Sequence, residues 1–130
     1  MIAVSYAEPV GRRMDSELQQ LLRRAAERIA SQARIAIQSP PKTGRIYERG
    51  GRIHQASAPG EAPATDTGFL VNSIGSRSVG AYIAEVFAGA SYAIELELGT
   101  SRMEPRPFML PAAQSQRPWL ERELGRLTGD

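Results

Sequence analysis

The chain has 130 residues, 42% hydrophobic and 23% charged, with 16 basic and 14 acidic side chains and a single histidine, which suits one globular domain with a sizeable core. The absence of cysteine excludes disulfides, thiolate nucleophiles, iron–sulfur clusters and cysteine-ligated zinc, and one histidine excludes a two-histidine metal site. No run approaches the apolar length of a membrane span, and the opening MIAVSYAEPVGRRMD lacks the order of a secretory signal, so a soluble, unsecreted protein is expected.

Residues 15–38, DSELQQLLRRAAERIASQARIAIQ, place Leu18, Leu21, Leu22, Ala25, Ile29, Ala33, Ala36 and Ile37 at three- and four-residue steps. This predicts a long amphipathic helix with Arg23, Arg24, Glu27 and Arg34 largely off the apolar stripe. Ser16 with Gln19 resembles a capping box, and Pro40-Pro41 stops the helix. Residues 39–66 carry prolines and glycines with almost no periodicity, which predicts a long loop or arm, with room for a short hairpin turning at Gly50-Gly51. Asp66-Thr67-Gly68 reads as the start of a two-turn helix through Phe69 and Leu70. Ile74–Val79 and Ala81–Phe87, with a turn at Gly80, read as an antiparallel hairpin, with Ile83, Glu85 and Phe87 on one face and Tyr82, Ala84 and Val86 on the other. Residues 92–98, YAIELEL, fit a strand by alternation and equally a short helix closed by Gly99. From about 110 to 127, Trp119, Leu120, Leu124 and Leu127 share a helical stripe; Pro111 and Pro118 are each tolerable near a helix start, and a broken C-terminal helix is expected. The fold class is therefore α+β. A long N-terminal helix and a C-terminal helix pack on a small antiparallel sheet within a single domain, 1–130, that carries a long extended loop.

The charge is unevenly spread. Residues 1–60 hold ten Arg and Lys against five Asp and Glu, and residues 61–130 hold six against nine. Such a bipolar chain suits a nucleic-acid surface, or two faces that meet their opposites on neighbouring subunits. No catalytic constellation stands out. His54 has no nucleophile frame beside it, and reads as a loop or hairpin residue. Glu95 and Glu97, two apart, would share one face of a strand as an acid–base pair needs, but alternation with Ile94, Leu96 and Leu98 explains them as a solvated or subunit-facing edge. Arg49-Gly50-Gly51-Arg52 is one unit of an RNA-binding Arg-Gly-Gly box and also the way a tight hairpin turn is written. In ELGTSRMEPRPFMLPA, residues 97–112, Gly99 frees the backbone, while Pro105 and Pro107 hold a stiff connector before a new helix. Arg102, Arg106 and Phe108 on such a connector suit an interface centre, and Phe108, Met109 and Leu110 equally suit anchoring the last helix in the core.

The ordered series Asp66-Thr67-Gly68-x-Leu70-x-x-Ser73-Ile74, Tyr92-Ala93, Glu97-x-Gly99-Thr100-Ser101-Arg102-Met103, Arg106-Pro107-Phe108 and Pro111-Ala112 resembles the small tail-completion and head–tail joining proteins of the neck of long-tailed bacteriophages and prophages. The matched region runs from about 43 to 113. That family commonly has an aromatic where this chain has Leu98 and an alanine where it has Pro105. The resemblance implies a non-enzymatic virion protein, a tail-completion or tail-terminator subunit, built in the host cytoplasm into a homo-oligomeric ring, with six copies favoured, at the head-proximal end of the tail. It implies no cofactor, metal or membrane, and partners among other neck and tail proteins. The motif and its implied subunit interface comprise Thr67, Gly68, Leu70, Ser73, Tyr92, Glu97, Gly99, Thr100, Arg102, Arg106, Pro107 and Phe108. Arg45, Arg49 and Arg52 are candidates for an arm to a neighbouring subunit or for transient channel contacts with DNA. The alternative reading from the residues is a small nucleic-acid-binding module using the basic N-terminal half.

Overall fold

The predicted N-terminal helix is the spine of the fold. In the computed structural model, which describes residues 2–5, 12–38, 46–49, 52–55 and 68–129, α1 spans Arg12–Gln38. Of its expected stripe, Leu18, Leu22, Ala25, Ile29, Ala33 and Ile37 are at most 4% exposed, and Ala36 alone stays partly open. Ala26 and Ala30 widen the buried face, and their small side chains let neighbouring elements come close. The helix starts before the expected capping box, so Ser16 and Gln19 lie inside it while Asp15 keeps its place in the first turn. Nothing in Arg12-Arg13-Met14 opposes helix.

Packed on α1 is a three-stranded antiparallel sheet in the order β1 (Ile2–Ser5), β5 (Ile83–Ala88), β4 (Ile74–Gly80). The β4–β5 hairpin is the expected one, with Ala84 and Val86 buried, although the turn falls at Ala81-Tyr82 rather than at Gly80. The register shifts between Ser78 and Gly80; a bulge there adds one residue to β4. β1 has no counterpart in the sequence reading. It pairs Val4 with Ala84 and Ala3 with Glu85, and a strand of four residues is too short to show a period of its own. Two arginines on the flank of α1 bind β4 at both ends: Arg34 Nη2 donates to the Ile74 carbonyl at 2.6 Å and Arg23 Nε to Ser78 Oγ at 3.0 Å.

α4 (Met109–Thr128) lies on the other flank of α1. Arg28 stacks 4.1 Å from the centroid of the Trp119 ring and donates Nε–H to Oε1 of Gln116 at 2.8 Å, so the buried amide of Gln116 is satisfied by a charged donor. Trp119, Leu120, Leu124 and Leu127 pack against the core as their spacing predicts. The helix is not broken, and Pro118 lies inside it. Pro111 sits in the first turn, whose N–H groups have no helical acceptor. Pro118 and Gln114, whose carbonyl loses its partner, are both exposed, which leaves that carbonyl open to hydration, and packing on α1 at either side of the proline carries the helix through.

β2 (Ile46–Arg49) and β3 (Arg52–Gln55) form a second, two-stranded sheet in which Arg49 lies opposite Arg52. This is the expected hairpin; the remainder of 39–66 lies outside the described residues. α2 (Phe69–Asn72) has one turn instead of the expected two, because Ser73 ends it: its hydroxyl and its N–H both reach the Leu70 carbonyl and β4 starts at the next residue.

Tyr82, in the β4–β5 turn, ties the sheet to the start of α1. Desolvation raises its phenol above the ordinary value of 10.0, and a hydrogen bond donated to the Asp15 carboxylate, with that carboxylate's charge, raises it further. The folded chain thus holds the proton more tightly than the unfolded chain. The stability from this contact is fully present below pH 10 and is lost as pH rises through the raised folded value. Tyr82→Phe is therefore expected to flatten the decline of Tm with pH above 10. Parallel alkaline limbs for the two proteins in a thermal melt series would refute the contact.

Candidate functional site

Much of the segment 97–112 has a local physical role. The ambiguous stretch before it is a helix, α3 (Ala93–Leu98), entered from a turn in which the Ala93 N–H donates to the Ala90 carbonyl at 3.1 Å. Gly99 closes it, donating to the Glu95 carbonyl at 2.7 Å. Its φ of 78° and ψ of 174° belong to a region that only glycine occupies at low cost. Thr100 and Met103 then exchange backbone bonds of 2.8 and 3.4 Å, and Thr100 Oγ1 accepts the Arg102 N–H at 3.2 Å, so Ser101 and Arg102 form an exposed tip. The chain returns along α3 with the Arg106 N–H on the Leu96 carbonyl at 2.7 Å.

Glu97 completes this unit. The N-cap residue of α4 is Phe108, which has no side-chain oxygen to cap it. The four N-terminal N–H groups of a helix need acceptors from elsewhere. Glu97 Oε1 accepts from Phe108 at 3.0 Å and from Met109 at 2.8 Å, and Oε2 accepts from Leu110 at 3.1 Å. The fourth position is Pro111, which has no N–H to satisfy. One carboxylate from α3 therefore accounts for every orphan donor of α4 and sets a negative charge at the positive end of its dipole. The strand-based reading of Glu95 and Glu97 as a pair on one face is corrected: on a helix, residues two apart point in divergent directions, and Glu95 is exposed while Glu97 is committed to the cap.

Beside this cap lies an open groove of about 680 Å³ with mostly apolar walls, including Ala93, Ile94, Leu98, Pro107 and Leu110. Three large apolar side chains around it are more than half exposed, Ile94 at 65%, Leu98 at 68% and Leu110 at 54%. Tyr92 and Phe69, whose rings lie 6.2 Å apart, extend the same kind of surface. Sequence reasoning did not single out Ile94, Leu98 and Phe69. The available signal was the four-residue step from Ile94 to Leu98, which joins them on one face once the segment is helical.

No protein-family model, curated protein or solved structure matches this chain.

The motif residues fall into three groups. Leu70 and Phe108 are buried in this chain's own core. Gly68, Ser73, Glu97, Gly99 and Thr100 shape turns and caps; Gly68 stands at the start of α2 with φ 78°. Tyr92 and Arg102 are exposed, Pro107 lines the groove, and Arg106 is half-buried, its Nε without a hydrogen-bond partner among the described residues. Thr67 and Arg45 lie outside the described residues, and for Arg49, Arg52 and His54 only the backbone of the β2–β3 pair is described. Among the described residues no three His, Asp or Glu side chains converge as a metal site would require, and no helix is long and apolar enough to cross a membrane. What this groove offers chemically is apolar contact on a frame fixed by backbone and cap hydrogen bonds.

Proposed function

We propose that this chain is a non-enzymatic structural protein of the phage neck, a tail-completion or tail-terminator subunit that assembles into a ring, with six copies favoured, and joins tail to head. The observation that carries this reading is the apolar surface of Ile94, Leu98 and Leu110, held open on a turn whose glycine, threonine and glutamate fix its shape. A contiguous exposed apolar patch marks an interaction site more often than a solvent face. Covering each of these side chains is worth about 1–2 kcal/mol, a modest amount per contact that a closed ring repeats at every junction. Four of the five ordered motifs that resemble neck proteins, from Tyr92-Ala93 to Pro111-Ala112, lie in or beside this turn, and the basic first half and acidic second half suit unlike faces meeting around a circle. On this reading its partners are further copies and other neck and tail proteins in the virion, with no more than passing contact to DNA.

Light-scattering mass at high protein concentration and near-physiological salt, with and without a short DNA duplex, tests the proposal. A discrete closed oligomer unchanged by DNA is expected. A monomer whose mass shifts only with DNA, more weakly as salt rises, would replace the ring with a nucleic-acid-binding module.

A further inference from the structure

We infer that the cleft between α1 and α4 is a binding site for a phosphate group, held by Arg24 and Arg28. The inference does not depend on self-association.

These two arginines stand apart from the others whose side chains are described on α1. Arg23 and Arg34 are bonded to β4, whereas Arg24 and Arg28 share the ring of Trp119, their guanidinium carbons lying 6.0 and 4.1 Å from its centroid. Arg28 is fixed a second time. Its Nε–H is donated to Oε1 of Gln116 at 2.8 Å, and Gln116 is itself buried, so the anchor is held within the fold. That bond uses one N–H of a guanidinium that carries several. The terminal Nη groups of Arg28 and the whole fork of Arg24 have no hydrogen-bond or ion-pair partner among the described residues. Two charged forks are thus oriented before anything binds to them, which lowers the entropic cost of binding.

Both forks line one open cavity of about 340 Å³, with Glu27, Ser31, Gln32 and Gln116 as its other walls. Arg24, Arg28 and Gln32 follow at four-residue steps with Ser31 beside them, so they share one side of the helix. Ser31 and Gln32 add a hydroxyl and an amide to the guanidinium donors. The number of donors decides the ligand class. One carboxylate is matched by a single fork, and its two oxygens leave the second arginine unanswered. The oxygens of a phosphate group face both forks and the neutral donors together. Two guanidinium charges stand against the one carboxylate of Glu27, so the site is cationic by a single charge and releases its ligand readily. That suits passing contact with a nucleic-acid backbone, and the same chemistry accepts free phosphate.

The test titrates the full chain with inorganic phosphate at an ionic strength held constant by sodium chloride. Binding is followed by the emission of Trp119, the single tryptophan, and by calorimetry. Saturation is expected with a midpoint of about 1–10 mM, the range of a few charge-assisted hydrogen bonds on an open surface. Arg24→Gln should raise the midpoint roughly fivefold or more, and Arg24→Lys part of the way, since lysine keeps the charge and loses the fork. Glu27→Gln should lower it. Arg126→Gln, which removes an equal charge from an exposed ion pair with Glu123, should leave it unchanged. Circular dichroism melts show that each variant is folded. No saturable binding at tens of millimolar by either readout, or a midpoint identical in Arg24→Gln and wild type, overturns the inference. So does acetate that binds as tightly as phosphate, which would assign the cleft to an acidic side chain of a protein partner. A short DNA duplex at low salt separates the two sources of phosphate. A duplex that binds and loses affinity in Arg24→Gln supports the site with a backbone phosphate as its ligand; phosphate binding without any response to the duplex supports it with free phosphate.

Discussion

Gly99→Ala is expected to destabilise the protein by about 2–5 kcal/mol. Two penalties add. The backbone there, at φ 78° and ψ 174°, is strained for any residue with a Cβ. The new methyl carbon would also lie 2.8 Å from Pro105 Cδ, 2.9 Å from the Met103 carbonyl oxygen and 2.9 Å from the Pro105 nitrogen, all backbone or ring atoms that cannot swing aside. If the turn yields instead of the whole fold, the Arg106–Leu96 backbone bond and the Glu97 cap fail with it, and the groove loses its wall. Urea unfolding followed by the fluorescence of the single Trp119 measures the loss. A midpoint within experimental error of wild type would show that the turn is not held as described.

Glu97→Ala is expected to cost about 1–3 kcal/mol, since it removes the acceptor of three N–H groups and the negative charge beside the helix dipole. Glu97→Gln should recover only part of this, because one carboxylate oxygen becomes an NH₂ group that faces donors. Amide exchange gives the more specific readout. The amides of Phe108, Met109 and Leu110 should lose protection in both variants while those of β4 and β5 keep theirs. Unchanged exchange at all three would mean that another group caps α4. Loss of assembly without loss of stability would instead place Glu97 at the subunit contact.

The cap also shows what a linear reading misses. The sequence carries a sign that α4 needs outside help, because Glu104-Pro105-Arg106-Pro107-Phe108 offers none of the Ser, Thr, Asp or Asn residues that cap a helix from its own start. It carries no sign of which acceptor provides it. Glu97 is eleven residues before Phe108, and only the turn built on Gly99 brings them together. In the same way the alternation of YAIELEL suits strand and helix alike, and the choice falls to helix in a context where Gly99 can close it and the returning chain pairs with the Leu96 carbonyl. Pro118 misled for a related reason: its local cost is real, and tertiary packing on α1 outweighs it.

By itself the sequence determined whatever a short window can express. The apolar period of α1, the alternation of the β4–β5 hairpin, the stripe of Trp119, Leu120, Leu124 and Leu127 and the α+β class all follow from local periodicity, because side-chain direction repeats with the backbone. The tertiary structure alone decided what depends on contacts between distant residues. It added β1 as the partner of β5, joined Arg34 to β4 and Arg28 to α4, buried Phe108 and Met109 while leaving Leu110 exposed, and put one carboxylate on three amides. These contacts form only when the whole chain has paid its loop-closure entropy, and no local pattern records which distant group will be there to meet them.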